Sequence, residues 1–407
     1  MTALKRIILT FSCFLLIAMI VSSYGTLKPP ASVITTVFRM TFQIALKYLV
    51  PALAGILFLY CSYSWYMIRR HRRKPQTYTV GIMLIYGFCL FGSMFSYLRI
   101  TDAYARKSQM NYEQMKAGKD RPNIRDTYQM TDLSEVLQVS QCQMFRSEVS
   151  EYRDTAVIYL NYGGWSLQDD SYGKQIYEFC RKEGYTFVRY GCDRLEDEKI
   201  DALIRKNNEG LVRLQDNQNF SKIYLLGGSA GGHMALLCGQ LSADNAFAAP
   251  VIKVDGIIAF YSYVNPGAAY DYYVSQDDRK KHLIDHAGDW LYCTLFHGST
   301  NTLGAETRKL DDAVFGERTE DNWLYDQTDV DRMIETSEIP ILLVHGSLDS
   351  MAPVEQVRSY YKQLSEKQKR AVYLELPGTE HVFDLMPTLA WERCEEEMSG
   401  FIRYINQ

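Results

Sequence analysis

The stretch around Ser229 constrains the fold of this chain more than any other. Residues 222–226 are apolar and β-prone, residues 234–238 have the composition of a buried helix, and between them lies the run Gly-Gly-Ser-Ala-Gly-Gly-His. This order predicts a strand, a sharp turn with the serine at its tip, and a helix. Gly227 and Gly231 allow the strand and the helix to approach closely and the serine to adopt a strained backbone conformation. The serine hydroxyl would then stand at one edge of a sheet.

Strands and helices alternate through the rest of the chain. Apolar, β-prone segments predict strands at 156–160, 185–190, 254–260, 339–344 and 371–376. Helical spacing predicts helices at 172–182, 196–215, 354–367 and 389–405. This alternation is typical of an α/β fold with a doubly wound, mostly parallel sheet and helices on both faces. Residues 264–335 are rich in Tyr, Asp and His and lack a clear strand, so we expect a cap over the carboxyl edge of the sheet.

Two later loops supply partners for the serine. Asp349 follows the predicted strand 339–344, and His381 follows the predicted strand 371–376. A serine nucleophile needs a base to take its proton, and the base needs a carboxylate to orient it. The three residues occur in the chain order that such triads have on a sheet of this kind. We therefore predict a catalytic triad of Ser229, Asp349 and His381 rather than an ordinary Gly-Ser turn.

Other candidates for the acid and the base fit less well. Asp384 follows the predicted histidine by only three residues, and Glu380 is adjacent to it and would point away. His233 falls in the predicted helix after the serine, where core packing is expected. His345 ends a strand, and we expect it to support the acid loop.

The sequence predicts no metal and no organic cofactor. His282 and His286 are four residues apart, a spacing that can hold a metal, but no acidic third ligand stands in a recognisable pattern, so a solvated helix face is the better interpretation. The net charge of −4 gives no indication of a nucleic-acid partner.

Ester cleavage develops negative charge on the former carbonyl oxygen, and backbone N–H groups must meet it. The N–H of Ala230, directly after the serine, is one candidate. Gly163 and Gly164 follow the predicted strand 156–160 and are the other two. Glycine lets the backbone approach the oxygen closely, although an ordinary turn is the alternative for this pair.

From about residue 155 to its end the chain resembles the α/β-hydrolase superfamily, and within it the hormone-sensitive-lipase-like carboxylesterases and acetyl esterases. Four stretches carry the resemblance: Asn-Tyr-Gly-Gly-Trp at 161–165, Gly-Gly-Ser-Ala-Gly-Gly-His at 227–233, His-Gly-Ser-Leu-Asp at 345–349 and Gly-Thr-Glu-His-Val-Phe at 378–383. The last two are also similar to the corresponding loops of prolyl-oligopeptidase-type peptidases. The resemblance implies an α/β-hydrolase fold and a serine esterase without a cofactor.

The sequence departs from the family pattern at two places. Asn161 and Tyr162 replace the first His-Gly of the oxyanion motif, so we expect a phenol at the rim of the oxyanion hole. Gly228 stands where the family has Asp or Glu before the serine. Both changes bear on substrate preference rather than on the class of reaction.

Residues 1–100 hold three long apolar runs, which predict an α-helical transmembrane region. The expected spans are about 7–23, 48–68 and 79–98. The first run also fits a signal peptide. The basic loop 69–74 is expected in the cytoplasm, which would place the hydrolase domain on the extracytoplasmic side. Polar residues 101–130 are predicted to be a linker, either a helical stalk or a loose tether, and residues 131–407 the hydrolase domain.

The resulting prediction is a multi-pass, membrane-anchored serine hydrolase that cleaves carboxylic esters of small acyl groups through an acyl-enzyme. Its partners would be a small ester and the lipid bilayer. An acyltransferase or a prolyl-oligopeptidase-like peptidase would use the same triad. An inactive membrane-bound binding domain is a third interpretation, against which the intact triad argues.

Overall fold

The computed structural model describes residues 128–407 except 169–171, 195–197, 279–302 and 350, together with 104–108, 110 and scattered positions between 55 and 91. The strands are β1 Tyr104–Ser108, β2 Tyr128–Asp132, β3 Gln141–Ser147, β4 Thr155–Leu160, β5 Tyr162–Gly163, β6 Ser166–Leu167, β7 Thr186–Gly191, β8 Lys222–Gly228, β9 Gly256–Phe260, β10 Ile341–Gly346 and β11 Ala371–Leu376. The helices are α1 Ser134–Leu137, α2 Lys174–Glu183, α3 Ile200–Gln218, α4 Ala230–Gly239, α5 Pro266–Asp278, α6 Leu303–Phe315, α7 Trp323–Gln327, α8 Val354–Glu366 and α9 Leu389–Ile405. Val330–Met333 and Phe383–Leu385 are 3₁₀ turns.

Nine strands form one sheet in the order β1-β11-β10-β9-β8-β4-β7-β3-β2. The strands from β7 to β11 in this order pair in parallel, because helical crossovers bring the chain back before each new strand. The strands β1, β2 and β3 pair antiparallel at the two edges. The predicted mostly parallel α/β fold is confirmed.

Both faces of the central part of the sheet are buried, which explains why the central strands are continuous apolar runs rather than alternating ones. All six residues of β4 are buried. Ala156, Ile158 and Leu160 belong to one core cluster, which includes side chains of α3, α4 and α8. Val157 and Tyr159 belong to the other, which includes side chains of α2 and α9. The sheet is therefore a layer between two sets of helices, as predicted.

The segment predicted to be a helical stalk or a loose tether contains a strand instead. β1 pairs antiparallel with β11, with Tyr104 opposite Glu375 and Ser108 opposite Ala371. Without β1, one row of N–H and C=O groups of β11 would lack backbone partners at the sheet edge. Edge pairing therefore decides the conformation of 104–108. The domain boundaries at 101–130 and 131–407 stay predictions.

The predicted multi-pass membrane localisation is wrong for the part of the chain that the structure describes. There, no helix is both long enough and apolar enough to cross a bilayer. A crossing helix needs about 20 consecutive residues of mainly apolar character. The longest described helix, α3 with 19 residues, carries charged side chains along its length. The predicted span 7–23 lies outside the described residues, and the spans 48–68 and 79–98 are described only at isolated positions.

Helices connect β9 to β10, in the region predicted to be a cap. α5 and α6 pack against each other, and α7 contacts α5. A Cβ built on Gly164 would lie 3.0 Å from Cδ2 of Leu310 on α6. This part of the connection therefore lies against the loop that follows β4. The extent of the cap, 264–335, stays a prediction.

Candidate active site

Ser229 lies at the sharp turn between β8 and α4. Its backbone has φ 55° and ψ −123°, a strained conformation for a residue with a side chain. Its N–H donates to the carbonyl of Phe260 at 3.0 Å, which ties the turn to β9. A Cβ on Gly227 would overlap the backbone of Gly231, and a Cβ on Gly231 would overlap the carbonyl of Leu160. Glycine at both positions allows the turn to close.

The structure brings the three residues of the predicted triad into one hydrogen-bonded line. The distance from Nε2 of His381 to Oγ of Ser229 is 3.0 Å, and that from Nδ1 of His381 to Oδ2 of Asp349 is 2.8 Å. With the carboxylate ionised, Nδ1 carries the proton and donates it to Asp349. Nε2 is then the acceptor for the serine hydroxyl, which is the arrangement that a general base requires.

Asp349 accepts hydrogen bonds at both carboxylate oxygens. Its Oδ1 accepts the backbone N–H groups of Met351 at 2.9 Å and Ala352 at 2.8 Å. Its Oδ2 also lies 3.3 Å from Nε2 of His345. Burial by itself raises the pKa of this carboxyl, but His381 and His345 outweigh burial and hold the pKa of Asp349 below its usual range. The carboxyl therefore stays ionised at neutral pH.

The two buried histidines near the site have the supporting positions expected of them. His345 donates from Nε2 to the carbonyl of Ala352 at 3.1 Å and so stiffens the acid loop. His233 is fully buried, and its Nδ1 lies 3.2 Å from the carbonyl oxygen of Tyr263. Burial lowers the pKa of His233 to about 4, so that its imidazole is neutral.

The segments that carry the three predicted oxyanion donors meet at the serine. A short hairpin, β5 with β6, follows β4 and contains Gly163, and Gly164 has φ 54°. A Cβ on Gly231 would lie 3.2 Å from the carbonyl oxygen of Tyr162, so the hairpin borders the first turn of α4, where Ala230 lies. The role of these three N–H groups as an oxyanion hole stays a prediction.

The prediction that the phenol of Tyr162 lies at the rim of this hole is wrong. Tyr162 is 3% exposed, and its hydroxyl donates to Oδ1 of Asn207 at 2.9 Å and accepts the N–H of Cys192 at 2.7 Å. A buried hydroxyl requires such partners, and the core supplies both. Asn161 likewise donates from Nδ2 to the carbonyl of Gln168 at 2.7 Å. Asn161 and Tyr162, the two residues that depart from the family's oxyanion motif, therefore hold the loop after β4 in place through hydrogen bonds to the protein interior.

A tyrosine fills the space beside Gly228. A Cβ on this glycine would overlap the phenol of Tyr261, whose ring centroid lies 4.4 Å from that of His381. The same phenol donates to Oδ1 of Asp384. The family's acidic side chain before the serine therefore has no room here. Asp384 is bonded to the phenol, and burial raises its pKa, which argues against it as the acid of the triad.

The two histidines considered as possible metal ligands, His282 and His286, lie outside the described residues. Glu380, the other rival acid, is buried beside His381 at 2% exposure. Nδ1 of that histidine donates its hydrogen bond to Asp349 and not to Glu380.

Sequence reasoning missed a cluster of buried side chains that packs against His233, four residues after the serine. Nε1 of Trp165 donates to Oδ1 of Asp311 at 3.1 Å, and Tyr263 stacks on Trp165 with centroids 6.1 Å apart. The hydroxyls of Tyr263 and Tyr273 are 2.7 Å apart. These residues come from the turn between β5 and β6, from the segment after β9, and from α5 and α6. The only signal in the sequence was the abundance of Tyr and Asp in 264–335.

Because Asp311 is buried, we expect the free energy of unfolding of the protein to depend on pH. Burial raises its pKa to about 7, although the hydrogen bond from Trp165 acts in the other direction. Since the folded protein holds this proton more tightly than the unfolded chain, stability falls as pH rises from about 4 through 7. Asp311→Asn keeps an acceptor for Trp165 but cannot ionise. We therefore expect the free energy of unfolding of the variant, relative to that of the wild type, to be about 2 kcal/mol higher at pH 8 than at pH 5.

Urea unfolding of the wild type and Asp311→Asn at both pH values measures this difference. Asp326→Asn, a change at an exposed carboxyl on α7, is the control and should shift stability equally at the two pH values. An equal effect of Asp311→Asn at both pH values would contradict the prediction.

Comparison with known proteins gives a family and two curated relatives. The BD-FAE family model matches residues 142–364. Esterase LipC of Mycobacterium tuberculosis is 27% identical over 179 residues, which are 42% of this chain and 36% of LipC. Probable carboxylic ester hydrolase LipM of the same organism is 46% identical over 48 residues, which are 12% of this chain and 11% of LipM. The chain thus spans well under half the length of either relative.

Among solved structures, a truncated form of a carbohydrate esterase from gut microbiota has a TM-score of 0.50 at 14% identity, covering 71% of this chain and 100% of that one. At this identity the likeness concerns the fold alone. The family model, in contrast, covers more than half of the 407 residues and includes the serine and its acid. The chain therefore belongs to the BD-FAE family, and its fold is that of an α/β-hydrolase.

Proposed function

We propose that the protein is a serine hydrolase that cleaves carboxylic esters of small acyl groups through an acyl-enzyme. The observation that carries the proposal is the line from Oγ of Ser229 through the imidazole of His381 to Asp349, with distances of 3.0 and 2.8 Å. A serine with this partner can be deprotonated as it attacks. The names of LipC and LipM support an ester as the substrate.

In the first half-reaction, Oγ of Ser229 attacks the ester carbonyl carbon while its proton passes to Nε2 of His381. The imidazolium that forms is stabilised by the ionised Asp349, which accepts from Nδ1 throughout. The bond between the carbonyl carbon and the alcohol oxygen then breaks, and the leaving alcohol takes the proton from Nε2. The acyl group remains on the serine.

In the second half-reaction, water attacks the acyl carbon and gives a proton to Nε2 of His381. The bond from the acyl carbon to Oγ breaks, the electron pair returns to Oγ, and the proton follows from Nε2. In both tetrahedral intermediates, the N–H groups of Gly163, Gly164 and Ala230 are proposed to stabilise the oxyanion. A single donor of this kind typically lowers the activation free energy by about 2.7–4 kcal/mol.

Bulky buried side chains near the serine favour a short acyl group. Trp165 is 3% exposed, Tyr263 is 7% exposed and Tyr273 is 4% exposed, and the ring of Trp165 contacts that of His233, four residues after Ser229. Leu310 of α6 lies over Gly164. Long chains would have to displace these packed groups, which costs free energy in a well-packed interior.

A fluorophosphonate probe and a series of p-nitrophenyl esters test the proposal. We expect covalent labelling at Ser229, and a kcat/KM for acetyl and butyryl esters that exceeds the value for decanoyl esters by roughly tenfold or more. Aminoacyl amides should react much more slowly. Absence of labelling would overturn the hydrolase proposal. Preferential cleavage of the amides would favour a peptidase, and release of nitrophenol without turnover would favour an acyltransferase.

A further inference from the structure

A side-chain amide spans the turn of the hairpin that β5 and β6 form. Nε2 of Gln168 donates to the carbonyl oxygen of Gly163 at 2.9 Å and to that of Ser166 at 3.1 Å. Gly163 and Ser166 are the paired residues on either side of the turn. Since a carbonyl oxygen only accepts, the NH₂ group of Gln168 faces the turn and uses both of its protons there.

The turn that this amide spans is strained. Its two central residues, Gly164 and Trp165, both have positive φ, 54° and 65°. Such a turn matches the twist of a hairpin, but the conformation is unfavourable for a bulky side chain. Trp165 is held in it by the hydrogen bond from Nε1 to Asp311. The backbone of the turn therefore depends on side-chain contacts to keep its shape.

Asn161, the residue after β4, fixes the position of Gln168. The N–H of Gln168 donates to the carbonyl of Asn161 at 3.1 Å, and Nδ2 of Asn161 donates to the carbonyl of Gln168 at 2.7 Å. Asn161 is fully buried, and its Nδ2 also donates to Oε1 of Gln141 on β3 at 2.8 Å. The backbone of Gln168 is thus tied to the sheet, and its side chain extends over the turn from a fixed position.

The absence of a side chain on Gly163 makes room for this amide. A Cβ built on Gly163 would lie 2.9 Å from Cδ of Gln168 and 3.1 Å from its Nε2. A larger residue at this position would push the amide away from the two carbonyl oxygens that it binds. The contact with Gln168 therefore gives a reason for glycine at 163 that is independent of the approach of a substrate.

The hydrogen bond to Gly163 also fixes the direction of a proposed oxyanion donor. The C=O of Gly163 and the N–H of Gly164 belong to one peptide unit, which is planar and trans. The two groups of a trans unit point in opposite directions, so the N–H of Gly164 points away from Gln168. Donation to the carbonyl polarises the unit and makes its N–H a stronger donor. One side chain thus sets both the direction and the strength of this N–H.

We propose that Gln168 is a positioning residue of the oxyanion hole, which holds the peptide unit of Gly163 and Gly164 so that the Gly164 N–H faces the carbonyl oxygen of the substrate. The inference rests on the proposed ester hydrolysis. The hairpin borders the first turn of α4, where Ala230 supplies another proposed donor. Without the amide, the peptide unit would be free to rotate, and its N–H would no longer be preorganised for the negative charge.

Gln168→Glu tests this role, because glutamate has the shape of glutamine but, when ionised, has no proton to donate to the two carbonyl oxygens. We expect kcat for p-nitrophenyl acetate to fall by roughly tenfold to a hundredfold, while KM stays within about threefold of the wild-type value. Rapid mixing should show that acylation and deacylation both slow, since each passes through a tetrahedral oxyanion. Gln168→Ala removes the amide without adding a charge and should act in the same direction.

Two ketones separate loss of the oxyanion hole from a general disturbance of the site. Propyl trifluoromethyl ketone adds to Ser229: Oγ bonds to the carbonyl carbon, the serine proton passes to Nε2 of His381, and the carbonyl oxygen becomes an oxyanion. Its inhibition constant should rise in the Gln168 variants by about the factor by which kcat/KM falls. The corresponding methyl ketone binds without forming an oxyanion, and its inhibition constant should change by no more than about twofold.

Gln215→Glu is the matched control. The amide of Gln215 also donates to a backbone carbonyl, that of Lys253 at 2.9 Å, but this contact precedes β9 and lies at the opposite edge of the sheet from Ser229. The control should leave kcat and both inhibition constants unchanged.

Thermal unfolding identifies a variant that does not fold, and the other Gln168 variant then decides the question. Unchanged kcat in a folded Gln168 variant would overturn the inference, as would equal weakening of both ketones. Failure of the wild type to react with the fluorophosphonate would instead overturn the proposed function itself.

Discussion

Ser229→Ala is expected to lower ester hydrolysis by roughly 10⁴- to 10⁶-fold, because the variant lacks the oxygen that forms the acyl-enzyme. Stability should change little. Serine and alanine both carry a Cβ, so the strained φ of 55° at this position is equally unfavourable for either residue. Steady-state assays with p-nitrophenyl acetate measure the loss, and the fluorophosphonate should no longer label the protein.

Ser262→Ala is the matched control for this experiment. Ser262 is a buried serine, 2% exposed, that lies two residues beyond the end of β9. Its removal should change activity by no more than a few-fold. If Ser229→Ala retained more than about one hundredth of wild-type activity, or if labelling persisted, another nucleophile would be responsible and the proposed mechanism would fail.

Asp349→Asn is expected to lower kcat by roughly 10⁴-fold, because it would move the proton of the His381 imidazole to the wrong nitrogen. Both oxygens of Asp349 accept: Oδ1 from the N–H groups of Met351 and Ala352, and Oδ2 from Nδ1 of His381. Asparagine has one oxygen. If that oxygen stays on the two backbone donors, the NH₂ group faces the imidazole, and Nδ1 must become an acceptor.

The proton of the neutral imidazole then resides on Nε2, where it points at Ser229 and prevents the base from accepting the serine proton. Activity should recover partly at high pH, where a serine alkoxide needs no base. Asp384→Asn separates this effect from a general loss of charge near the histidine. Its Oδ1 can still accept from Tyr261, so we expect at most a several-fold change in kcat. A larger loss in Asp384→Asn than in Asp349→Asn would reverse the assignment of the acid.

The local pattern of the chain was sufficient for the central strands. The segment 371–376 was predicted to be a strand from its apolar residues, and β11 has these bounds. The helix 389–405 also agrees with α9. In a sheet buried on both faces, each central strand is a continuous apolar run with polar residues at its ends, so that its position can be found from neighbouring residues alone.

Long-range packing decided the features that the patterns could not indicate. Tyr162 was expected at the rim of the site, but the core offers its hydroxyl a donor and an acceptor, and the phenol lies there. Residues 104–108 were expected in a linker, but the open edge of β11 pairs with them. In each case the partner lies far away in the sequence, beyond the reach of periodicity or composition.

The same division holds at the serine itself. The order of Ser229, Asp349 and His381, each in a loop after a predicted strand, was determined by the sequence, because parallel strands bring their carboxyl ends to one edge of the sheet. Only the tertiary structure placed Tyr261 beside His381 and stacked Tyr263 on Trp165. A triad has an order along the chain that can be recognised, whereas a packed tyrosine has none, since its contacts depend on how distant segments meet.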